Sequence, residues 1–96
     1  MADRYFDTRA LVYFYTIAKT GSYRRAAMEL GISLSALSRP IQQLEQDLGV
    51  LLFLRGGRYQ TTLTEAGRYF FRETGKTLQA LAELLPEDRR QHISCG

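Results

Sequence analysis

Residues 21–49, GSYRRAAMELGISLSALSRPIQQLEQDLG, read as two short helices joined at a glycine corner. Ser22 can cap the first helix, Ala26, Ala27 and Leu30 give it a small buried face, and Gly31 stops it. Ile32 fills the corner and Ser33 caps again. In the second helix Leu37, Ile41, Leu44 and Leu48 recur at helical spacing until Gly49. That inward stripe leaves Ser35, Ser38, Arg39 and Gln42 facing outward. Two short helices on a tight turn, the second exposing hydroxyls and an arginine from its N-terminal end, suit insertion into a DNA major groove.

On the N-terminal side, Asp7 or Thr8 can cap a helix running to about Lys19. Its apolar positions Leu11, Phe14, Tyr15 and Ala18 follow the three-four rhythm, Val12 and Ile17 widen the stripe, and Gly21 ends it. On the C-terminal side the rhythm changes. The run Leu51-Leu52-Phe53-Leu54, then Arg55-Gly56-Gly57-Arg58, then Tyr59-Gln60-Thr61-Thr62-Leu63, signals a β-hairpin. A lone hairpin is marginal, so it should lean on the helices as a wing with positive charge at its tip. Thr64 then caps a long helix, with Glu65 in its first turn, that continues to about Leu85 before Pro86. The apolar face of this helix holds Ala66, Phe70, Leu78, Leu81 and Leu85, with Tyr69, Leu84 and Ala82 alongside, more than so small a domain can cover. An antiparallel copy from a second subunit would supply the missing partner. The expected fold is therefore mainly α: a winged helix-turn-helix with a three-helix core and a two-stranded β wing, followed by a long linker and dimerisation helix. Residues 1–63 form the DNA-binding unit, 64–86 the linker helix and 87–96 a loose polar tail.

Composition sets the outer limits. Ninety-six residues make one small domain, and 45% hydrophobic with 24% charged residues is ordinary for a folded chain. The net charge of +3 does not by itself demand a polyanion, so placement matters more. Between Ser22 and Arg58 stand five arginines (Arg24, Arg25, Arg39, Arg55, Arg58) against three acids (Glu29, Glu45, Asp47), and two of those acids sit at the far end of the second helix. No apolar run approaches the roughly 18 residues needed to span a bilayer, and the start lacks a hydrophobic signal core. A cytoplasmic, nucleoid-associated location without membrane contact is the expectation. The only cysteine, Cys95, excludes an internal disulfide, and its spacing from His92 supplies two ligands where a structural zinc site takes about four. No metal, no cofactor and no enzymatic activity are expected, because no cluster of acid, base and nucleophile is visible.

These residues resemble the N-terminal DNA-binding domain of the LysR-type transcriptional regulators over about residues 8–85. The carriers are Gly21-Ser22-Tyr23, Arg25-Ala26-Ala27, Leu30, Ser33, Ala36-Leu37-Ser38-Arg39, Ile41 and Gln43-Leu44-Glu45. Leu48-Gly49-Val50, Leu52-Phe53, Arg55, Arg58 and Leu63-Thr64-Glu65-Ala66-Gly67 complete the match. The resemblance implies a winged helix-turn-helix that dimerises through its last helix and binds a pseudo-palindromic promoter site. Family members usually continue into an effector-binding domain of about 200 residues, which this chain has no room to form. An effector site is not expected here, whether the chain is naturally short or cut after the linker helix. Two departures touch the reading surface. Leu34 and Ser35 stand where the family commonly has glutamine and proline, and leucine can touch a thymine methyl but cannot read an amide edge. Pro40 lies inside the recognition helix, where a kink or a slipped start near residues 38–40 is expected.

Candidate roles follow from residue chemistry. Arg39 can fork onto guanine, with a phosphate contact or a pair with Glu45 as alternatives. Ser35 and Ser38 can bond phosphate, base or their own backbone. Ser33 is first a cap, Leu34 stands beside it, and Gln42 reaches one turn further along the groove. Ser22, Tyr23, Arg24 and Arg25 sit where the first helix of the motif crosses the sugar–phosphate chain. Arg55 and Arg58 flank the wing turn, where an arginine can enter a narrow minor groove. The leading reading places residues 34–48 in the major groove and 55–58 at the minor groove of double-stranded DNA, in a homodimer. The alternative is a protein-interaction module that pairs with full-length regulators through the linker helix.

Overall fold

Three side-chain caps punctuate the chain where the sequence puts them. The hydroxyl of Ser22 accepts from the amide of Arg25 (3.1 Å), Ser33 accepts from Ala36 (3.1 Å) and Thr64 from Gly67 (2.9 Å). Each satisfies an amide that the first helical turn leaves unpaired. The computed structural model describes residues 8–54 and 61–84. In order they form α1 (Thr8–Thr20), α2 (Tyr23–Leu30), α3 (Leu34–Leu48), β1 (Phe53–Leu54), β2 (Thr62–Leu63) and α4 (Glu65–Ala82). Gly31 and Gly49 end α2 and α3 at φ 69° and 76°, a left-handed backbone that glycine adopts without a Cβ penalty.

Helix α1 packs against α2, α3 and α4. The core collects Phe14 and Ile17 from α1, Ala26 and Ala27 from α2, Leu37, Ile41 and Leu44 from α3, and Leu52 and Phe53 from the β1 segment. The alanines let α2 approach closely, and the larger side chains supply about 1.5–3 kcal/mol each on burial. Phe14 is the hub. Its ring lies 5.3 Å from Phe53, 5.2 Å from Phe70 and 6.5 Å from Phe71, so α1, β1 and α4 share one aromatic cluster.

The antiparallel strands are short, pairing Phe53 with Leu63 and Leu54 with Thr62. Residues 55–60, which include the expected Gly-Gly turn, Arg55 and Arg58, lie outside the described residues. The ribbon is tied down at its base. The Thr64 hydroxyl donates to the carbonyl of Leu51 (2.7 Å), the Thr64 amide to Leu52 (3.0 Å), and the Thr61 amide to Gly21 at the α1–α2 corner (2.8 Å). Gly67 packs so near that a Cβ there would fall inside the Leu52 carbonyl, so a side chain would push α4 off the ribbon.

Two expectations need correction. Helix α3 is one continuous element from Leu34 with Pro40 inside it, so of the two outcomes expected near residues 38–40, a kink or a slipped start, the slipped start is not found. Proline removes a single donor, and Leu37, Ile41 and Leu44, at 0%, 1% and 2% exposure, hold the turns on both sides of it. Replacing Pro40 with alanine restores an amide for the Ala36 carbonyl. We expect the variant to gain about 1–2 kcal/mol, read as a melting temperature higher by several degrees. An unchanged or lower melting temperature would show that the proline is favoured at this site. The second correction concerns α4, which ends at Ala82 with Glu83 as its cap rather than near Leu85. Leu85 itself, like His92 and Cys95, lies outside the described residues.

Candidate nucleic-acid interface

Opposite the buried stripe of α3, Ser35, Arg39 and Gln42 are exposed along one face. Leu34, at the first turn, is 47% exposed, and Ser38 is half-buried on the flank of that face. Ser33 spends its hydroxyl on the cap, and its oxygen also lies 3.4 Å from that of Ser35. The N-terminus of α2 carries Ser22 as its cap and exposed Arg24 and Arg25 in its first turn. Tyr23 is half-buried with its ring 5.6 Å from Phe53, so it joins core to surface. Two capped helix N-termini, three exposed arginines and a set of hydroxyls therefore form the polar side of the helix pair. Helix N-termini and guanidinium groups both favour phosphate oxygens, and arginine adds planar recognition of guanine.

Sequence reasoning offered Glu45 as an alternative partner for Arg39. The structure puts it elsewhere. Glu45 is 8% exposed, and its Oε2 accepts from the amides of Leu52 (2.7 Å) and Phe53 (3.3 Å). Its role was not foreseen, although one signal was present. Position 45 falls four residues after Ile41 and next to Leu44, on the edge of the apolar stripe, where a carboxylate needs donors to remain. The double use of Thr64, as helix cap and as clasp on Leu51, was likewise missed.

On α4, Tyr69 and Leu81 are 60% and 42% exposed, and the Arg72 guanidinium lies 5.7 Å from the Tyr69 ring centre. Ala66, Phe70 and Leu78 are half-buried, and Phe70 packs edge-on against Phe14 of the same chain. Leu84, 79% exposed, extends the outward apolar surface. Among the described residues no group of His, Cys, Asp and Glu could hold a metal ion, and no helix is long and apolar enough to cross a membrane.

Comparison with known proteins agrees with this geometry. Residues 8–68 match the bacterial regulatory helix-turn-helix proteins of the lysR family. The chain is 47% identical over 72 residues to the HTH-type transcriptional regulator YtlI of Bacillus subtilis, covering 75% of this chain and 23% of that protein. It is 38% identical over 84 residues to the probable cat1 operon transcriptional activator of Acinetobacter lwoffii, covering 88% and 27%. The chain thus spans about a quarter of the length of the curated relatives it matches. Among solved structures, the BenM_DBD/catB site 1 DNA complex superposes with a TM-score of 0.81 at 32% identity, over 91% of this chain and 96% of that one. Full-length CbnR complexed with its target DNA gives 0.75 at 35% identity, over 81% and 27%. With more than half its length matched and its winged helical fold shared, the chain belongs to the lysR family of bacterial regulatory helix-turn-helix proteins.

Proposed function

We propose that the chain reads double-stranded DNA as the sequence-specific part of a LysR-type transcriptional regulator. The observation that carries this reading is the exposed face of α3, where Ser35, Arg39 and Gln42 stand opposite a fully buried apolar stripe. Helix α3 enters the major groove from its Ser33 end, with Leu34 against base edges and Ser38 at the rim. Ser22, Tyr23, Arg24 and Arg25 meet the sugar–phosphate chain, and the wing arginines Arg55 and Arg58 meet the minor groove. The DNA complexes of BenM_DBD and CbnR, which share the fold, support the choice of partner. Two copies pair through α4 and bind a pseudo-palindromic site, with recognition helices one or more duplex turns of ~34 Å apart. Residues 1–63 do the reading and 64–86 the pairing. The working compartment is the cytoplasm.

Titration of labelled duplex at several salt concentrations tests the reading. We expect log affinity to fall linearly with log salt, as counterions leave the phosphates. No binding at low salt, or binding without a salt slope, would exclude it. Two substitutions separate the roles. Arg39→Ala should cost about 1–3 kcal/mol of discrimination between a selected duplex and a base-substituted one. Arg25→Ala should weaken both duplexes alike and reduce the salt slope by about 1. Equal losses on both duplexes for both variants would show that Arg39 touches phosphate, not base.

A further inference from the structure

We propose that Glu45 is a positioning residue that fixes the β ribbon to the recognition helix, so that the two are presented to DNA as one rigid body. This inference rests on the DNA-reading proposal above. Helix α3 and β1 are joined by a connection that starts at Gly49, and Glu45 binds both ends of it. Its backbone carbonyl accepts from the Gly49 amide (2.8 Å), while its side-chain Oε2 accepts from Leu52 and Phe53. One residue thus closes the helix and opens the strand.

The strand geometry explains why an acceptor is required. The Thr64 amide bonds the Leu52 carbonyl, flanking the Phe53–Leu63 pair. In an antiparallel ladder that pattern makes Phe53 and Leu63 a non-hydrogen-bonded pair, so the Phe53 amide points away from β2. Leu52 and Phe53 are 1% and 5% exposed, which keeps water from serving those amides. A carboxylate arriving from α3 satisfies both, and charge-assisted bonds are stronger than neutral ones. Among the described residues the ribbon is also held to Gly21 after α1, to the head of α4 through Thr64 and Gly67, and to α2 by the Phe53–Tyr23 ring contact. Within this set Glu45 supplies the tether from the reading helix. Any tilt of α3 in the groove is then transmitted to the root of β1.

Three variants test this in the full chain: Glu45→Gln, which keeps one oxygen acceptor, Glu45→Asp, which withdraws the carboxylate by one methylene, and Glu45→Leu, which removes the acceptor. Two readouts are taken, amide hydrogen exchange without DNA and hydroxyl-radical footprints on a duplex selected from a random pool by the unaltered chain. For Glu45→Leu we expect the Leu52 and Phe53 amides to exchange roughly 10- to 100-fold faster while Ile41 and Leu44 keep their protection. In the footprint, protection flanking each half-site should fade while protection at its centre persists. Glu45→Gln should stay within a few-fold of the unaltered chain in both readouts. If Glu45→Leu does not fold, Glu45→Asp carries the test, with the same pattern at smaller amplitude. Unchanged exchange at Leu52 and Phe53, or central and flanking protection lost in equal measure, would overturn the positioning role. A folded, unaltered chain that leaves no footprint on any duplex would instead remove the DNA reading, and the exchange arm would still decide whether Glu45 anchors the ribbon.

Discussion

A Phe14→Ala chain should lose about 3–5 kcal/mol of folding stability, the range for deleting a buried phenylalanine ring. At about 0.05–0.15 kcal/mol per residue, a domain of this size holds only about 5–14 kcal/mol, so the loss removes about a fifth of it or more. The effect should sit at the upper end because Phe14 is fully buried and touches rings from three other positions. Each aromatic pair contributes about 0.5–1.5 kcal/mol beyond the area it buries. Losing Phe14 therefore loosens the ribbon and α4 together, not α1 alone. Urea titration should show a lower midpoint at unchanged slope. Met28, 74% exposed on α2, is the control, and Met28→Ala should stay within about 0.5 kcal/mol. Similar midpoints for the two variants would mean that the aromatic cluster does not hold the fold together.

What the sequence made legible depended on local chemistry. The stripe Leu37, Ile41, Leu44 and the caps Ser22, Ser33 and Thr64 are encoded within single helices, and each appears where spacing placed it. Contacts that join distant segments were harder to see. Phe70 was read as dimer surface from its place on an amphipathic face, yet its ring lies 5.2 Å from Phe14, across 56 positions of sequence. A one-helix wheel cannot distinguish a face that meets its own core from one that meets a partner. Glu45 was misjudged for a related reason. Its acceptors' donors lie seven and eight residues ahead, beyond a glycine reversal that helical periodicity does not describe. Pro40 shows the opposite limit. The local rule against proline inside a helix was correct about the missing donor, but tertiary burial on both sides kept the element continuous.

The largest effect on binding is expected from α4. The first turns of this helix belong to the domain, through Phe70, Phe71 and the close approach at Gly67. Near Gly75 the Tyr15 ring of α1 still lies against the helix and stacks on Phe71 at 5.0 Å. Beyond Gly75, Ala82 is still buried at 2% exposure, but Leu81 and Leu84 on either side of it are 42% and 79% exposed. In the proposed dimer these leucines meet a second copy. Replacing both with glutamate puts four like charges into that contact, while the exposed positions leave the monomer's own stability within about 0.5 kcal/mol per site. The double variant should sediment as a single copy. Tethering two readers raises overall affinity by about 100- to 10,000-fold over one, so binding to a full pseudo-palindrome should fall by that factor. Affinity for an isolated half-site should not change, because the α3 face is untouched. That contrast separates loss of pairing from loss of fold, which would weaken both duplexes together. If the variant still sediments as a dimer, the pairing surface lies away from the C-terminal turns of α4, and the half-sites must be spaced by a different contact.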